Sequence, residues 1–113
     1  MFRRKVDCEE FICEQFKRRC ESFEIQNLIQ LAGDQGMTHE DVLIKLVESQ
    51  WQMILMEAAA KYPKELGQLG QAQHSTELKL RAIETALPVI YYTYVLVGQS
   101  DQILNSVRQR MTT

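Results

Sequence analysis

Between Thr38 and Pro63 lies a segment that, wound as a helix, has almost no polar side. Thr38 suits the N-cap, since its hydroxyl accepts from first-turn N–H groups, and Asp41 stands three residues on, where a capping box places its acid. Pro63 blocks continuation, because it lacks an N–H and crowds the preceding turn. These signals predict a helix over 39–61. On its wheel Val42, Leu46, Met53 and Ala60 form one stripe, and Leu43, Val47, Ile54 and Ala58 a second. Ile44, Trp51 and Leu55 lie further round, so the polar sector narrows to Asp41, Lys45, Glu48 and Gln52. A helix apolar over most of its circumference belongs at the centre of a bundle.

The remaining segments read as helices that could surround it. Ile12, Cys13, Phe16, Cys20 and Phe23 share one face of a first helix, with Asp7 and Glu10 placed as its capping box. Ile25, Leu28, Ile29 and Ala32 fall on nearly the opposite side, so this helix breaks near Ser22–Glu24 or changes neighbours along its length. Gly33 and Gly36 suit a helix stop. Residues 63–74 read as a loop with one short helical turn around 64–69. Ser75 or Thr76 caps a third long helix whose inner face is Leu78, Ala82, Ile83, Ala86 and Leu87. Pro88 is expected to kink it, and Gly98 to end it. Ser100 then caps a last helix with Ile103, Leu104, Val107 and Met111 inward. Only 5 Gly and 2 Pro occur among 113 residues, too few for a turn-rich β fold. The length suits one domain over 1–113. The expected fold is all-α, a compact bundle of four to five helices, dimeric.

Chemistry-bearing patterns are sparse. Cys8, Cys13 and Cys20 lack the paired Cys-x2-Cys spacing of a zinc knuckle, and they read as buried free thiols. His39 and His74 belong to no His-Glu-x-x-His motif. His74-Ser75-Thr76-Glu77 matches a triad in composition only, because nothing there places a base on a nucleophile. No phosphate loop or dinucleotide fingerprint occurs. The expectation is no catalytic residue, no metal and no cofactor. No signal-peptide pattern is read at the start of the sequence. The apolar run Leu87–Val97 would span about 16 Å as a helix, short of a bilayer. No membrane association is expected, and the compartment is expected to be cytoplasmic.

Charge is unevenly spread. There are 13 Lys+Arg against 15 Asp+Glu, yet Arg3, Arg4, Lys5, Lys17, Arg18 and Arg19 all fall near the start. These residues make a candidate contact for nucleic acid or an acidic partner through Arg3, Arg4, Lys17, Arg18 and Arg19, against the plainer reading of a solvated helix face. The segment from Leu28 to Leu43 resembles helix–turn–helix and ribbon-helix-helix turns: an apolar helix ending, glycine, an apolar residue, a Thr cap and an acidic first turn. The resemblance departs from the DNA-binding pattern at Glu40 and Asp41, whose charges repel phosphate, and any tight helix corner needs the same chemistry.

The tyrosines say more. Continuing the wet face of Glu77, Arg81 and Glu84 past Pro88 reaches Tyr91, Tyr92 and Val95, with no charged residue until Asp101. Tyrosine on such a surface suits core or interface, since it combines apolar area with a polar tip. The expected function is a non-enzymatic binding module, such as an adaptor, chaperone or regulator, forming a homodimer through Tyr91, Tyr92 and Val95 and contacting another protein. A nucleic-acid-associated regulator acting through the basic residues is the alternative.

Overall fold

A computed structural model describes residues 2–68 and 75–112, with side chains from 4 to 67 and from 75 to 112. His74 lies outside the described residues, as does the side chain of Arg3. The chain forms α1 (Phe2–Cys20), α2 (Phe23–Asp34), α3 (His39–Lys61), α4 (Pro63–Gln68), α5 (Thr76–Ile90), α6 (Tyr92–Leu96) and α7 (Ser100–Thr112), with no strand among the described residues. The expected four to five helices thus become seven among the described residues, because predicted stretches are divided and the short turn after Pro63 is helical.

The first division has a local cause. Ser22 adopts an extended backbone and its hydroxyl accepts from the Ile25 N–H at 3.2 Å, which starts a new helix and resets its phase. Phe23 is thereby turned outward, 79% exposed, rather than extending the inner face of α1. Cys8 takes up that face instead, and Asp7 lies inside α1 rather than capping it. The Gln26 amide donates to the Cys20 carbonyl at 2.7 Å, satisfying a carbonyl at the end of α1.

The predicted bounds of α3 hold. Thr38 accepts from the Asp41 N–H at 3.2 Å. Ahead of it the chain closes a Schellman turn: the Met37 N–H reaches the Ala32 carbonyl and the Gly36 N–H that of Gly33. Gly36 sits at φ +81°, where a side chain would be strained. The same turn recurs at Gly98, φ +71°, with the Gln99 N–H on the Tyr94 carbonyl. Gln99, not Ser100, then supplies the first carbonyl of α7, accepting from the Ile103 N–H at 3.2 Å.

Pro88 lies inside α5, which ends two residues later. Tyr91 leaves the helical region at φ −133°, ψ 72°, so α6 is a separate element and not the kinked continuation expected. The buried cluster draws Ile12 and Phe16 from α1, Leu43, Val47 and Ile54 from α3, Ile83 and Leu87 from α5, and Val107 from α7. α2 contributes only Ile25 as a buried residue. No helix among the described residues is long and apolar enough to cross a membrane.

Cys8, Cys13 and Cys20 are free and buried in this cluster. Burial, and secondarily the Glu21 charge, pushes the Cys20 thiol up from 9.0 to about 12. The folded state therefore favours the neutral thiol. That contribution is fully present below pH 9.0 and is lost as pH rises toward about 12. The unfolding free energy, measured in urea across this window, is expected to fall with pH, and to fall less steeply in Cys20→Ala. An equal slope in the two proteins would contradict the assignment to Cys20.

Candidate functional site

The end of α5, the whole of α6 and the Gly98 turn meet the first turn of α3. His39 is the meeting point. Its Nδ1 shares a hydrogen bond with the Tyr94 hydroxyl at 2.5 Å. Its ring lies 4.3 Å from that of Tyr91 and 5.1 Å from that of Tyr94, the latter edge-on. Tyr91 and Tyr94 also meet edge to face, with centroids 5.9 Å apart. Aromatic contacts of this kind add about 0.5–1.5 kcal/mol beyond the area they bury. The imidazole thus holds two of this segment's three tyrosines inward. Burial, then Tyr94 and Glu40, pushes the Tyr91 hydroxyl up to about 12, so it stays protonated at neutral pH.

What is left outward is mostly apolar, with Thr93 the exposed polar residue of α6. Tyr92 is 62% exposed and Val95 37%, and Leu96 and Val97 are exposed beside them. Of the three interface residues named from sequence, Tyr92 and Val95 face solvent, while Tyr91 is half-buried against His39. Leu96, Val97 and the support from His39 were not foreseen. The i,i+3 spacing of Tyr91 and Tyr94 marked them as neighbours, but nothing local linked them to residue 39.

An open cleft of about 490 Å³ runs beside the patch, lined by His39, Tyr91, Tyr94 and Gln99 with Ile90, Tyr92 and Thr93. Among the described residues no carboxylate, thiol or ammonium lines it, so its chemistry there is aromatic surface and hydroxyl groups around one imidazole. Among the described residues no group of three or more His, Cys, Asp or Glu is placed to hold a metal ion. His39→Ala is expected to cost about 1–2 kcal/mol, from the lost hydrogen bond and ring contacts. It should also speed amide exchange over residues 91–97 more than in the body of α3. Uniform exchange changes would show that His39 does not anchor α6.

The basic residues are not brought together. Arg4 and Arg19 stand about 22 Å apart along α1. Arg4 donates through Nε to Glu65 at 2.6 Å, and Arg19 pairs with Glu57 and donates to Gln50 at 3.2 Å. Arg18 shares the lining of a second cleft with Asp7, Glu10 and Glu14, and Lys17 is half-buried. No family model, curated protein or solved structure matches the chain.

Proposed function

We propose that the chain is a non-enzymatic protein-binding module, an adaptor, chaperone or regulator, that pairs with a second copy through α6 and also engages another protein. The observation that carries this reading is the uncharged outward patch of Tyr92, Val95, Leu96 and Val97, with Tyr91 and Tyr94 pinned behind it by His39. Apolar surface of this kind is usually covered or used. A two-fold contact covers it with a single self-complementary patch. Four side chains supply only part of the roughly 800 Å² that each partner gives a stable interface, so polar neighbours must form the rim. Three free thiols suit a reducing cytoplasm.

The nucleic-acid alternative draws less support. Binding to phosphate needs cations free to displace counterions, and Arg4 and Arg19 already face Glu65 and Glu57. The test is made on the purified full chain by light scattering and by titration of labelled DNA and RNA at low salt. A dimer that leaves both nucleic acids unbound is expected. A monomer that binds either with a steep salt dependence would replace this reading by the alternative.

A further inference from the structure

The α3 stripe that begins at Val42 and Leu46 does not stay buried along its length. α2 lies against α3, and Val42 and Leu46 are buried. Beyond them the same stripe surfaces at Ser49, Met53, Met56 and Ala60, with Met56 64% exposed. Positions 42, 46, 49, 53, 56 and 60 step alternately by four and three. This is the seven-residue repeat by which one helix offers a continuous seam to another. From Val42 to Ala60 the seam rises about 27 Å. α2 supplies a wall to its first part, where exposed Leu28 and Leu31, with Met37 and Leu46, line an open groove of about 300 Å³.

The charge along this seam is lopsided. Among the described residues Lys45 is the one charged residue lining the groove. Three acids of α3 are each engaged by a cation from another helix: Asp41 by Arg110, Glu48 by Lys79 and Glu57 by Arg19. Lys45 is exposed and has no ion pair among the described residues. An apolar track bordered by an exposed ammonium that makes no ion pair among these residues complements an apolar partner that carries a carboxylate.

We propose that the α2–α3 groove and the Met53–Met56 seam beyond it dock an amphipathic helix of a protein partner, apolar at i, i+3, i+4 and i+7, with a carboxylate opposite Lys45. This rests on the reading of the chain as a protein-binding module and gives the chemistry of its partner other than a second copy. The track is about five helical turns long, more than a small amphiphile would cover. Methionines adapt their shape to a partner's side chains. A second copy would present the same seam, whose bordering acid Glu57 is already engaged by Arg19.

The test uses the full chain and two labelled peptides of about 18 residues, long enough to span the seam. Both carry leucine at the same helical positions, and one has glutamate and the other lysine at the polar ones. By anisotropy the glutamate peptide is expected to bind at least about tenfold more tightly, with the preference reversed in Lys45→Glu. Met56→Asp should weaken both while leaving the circular dichroism and urea midpoint of the chain unchanged. Binding of neither peptide, or equal binding indifferent to Lys45→Glu, would overturn the proposal. Lys45-dependent binding of decanoate with neither peptide bound would also overturn it, assigning the groove to a small amphiphile. Tyr92→Glu should bind the glutamate peptide as the wild type does. Failure here with an intact dimer would thus remove the groove alone, and a monomeric wild type that binds the peptide would remove only the α6 contact.

Discussion

Trp51→Ala is expected to cost the fold roughly 3–5 kcal/mol. Trp51 sits midway along α3 and is 3% exposed. Truncation leaves a cavity larger than the surrounding helices can close, which adds to the lost transfer energy of the indole. It also uncovers Lys79, whose ammonium lies 5.8 Å from the Trp51 ring and donates to both oxygens of Glu48 at 3.1 and 3.2 Å. Lys79 is itself buried, so it depends on that packing and that carboxylate. Total stability of a domain this size is about 5–15 kcal/mol, so the loss removes a large fraction of it. Urea unfolding followed by circular dichroism gives the number directly. Met56→Ala on the same helix is the control and should change stability by less than about 0.5 kcal/mol, because its side chain is in solvent. Near-equal effects of the two substitutions would show that α3 is not seated as described.

Tyr92→Glu is expected to act on association and not on the fold. The side chain projects from α6, so a carboxylate there leaves the core untouched. In the paired state, truncating an aromatic anchor typically costs about 2 kcal/mol or more. Enclosing a carboxylate among Val95, Leu96 and Val97 with no cation opposite adds a further loss of about 2 kcal/mol. Together these weaken the dimer by about 700-fold. Tyr92→Phe, which keeps the area and drops the hydroxyl, should weaken it far less. An equal loss in the two variants would point to the hydroxyl, not the apolar area, as the source of affinity.

The parts of this fold that were legible in sequence are those fixed by neighbours in the chain. The bounds of α3 follow from Thr38 and Pro63, and the corner before it from Gly36. The inner faces of α1, α5 and α7 follow from helical spacing. What was not legible depends on distant partners. Tyr91 leaves the helix where its ring meets His39, which lies far off in the chain, so the apolar run after Pro88 gave no sign of a break there. Phe23 is the local exception: it lay on the α1 stripe until the neighbouring Ser22 cap reset the phase. Arg4 and Arg19 looked like an available basic patch because Glu65 and Glu57 are remote in sequence. A helix apolar all round does not say which stripe is left uncovered, and so Met53 read as part of an inner stripe. For the candidate interface, the absence of charge between Glu84 and Asp101 marked the segment, while its division into pinned and outward tyrosines needed the third dimension.

Sedimentation equilibrium of the wild type over a wide concentration range, beside Tyr92→Glu, bears most directly on self-association through α6. The wild type should move with concentration from the 13.2 kDa chain mass toward twice that value, while Tyr92→Glu stays at the chain mass throughout. A wild type that holds the single-chain mass at every concentration, or a Tyr92→Glu protein that dimerises as the wild type does, would contradict it.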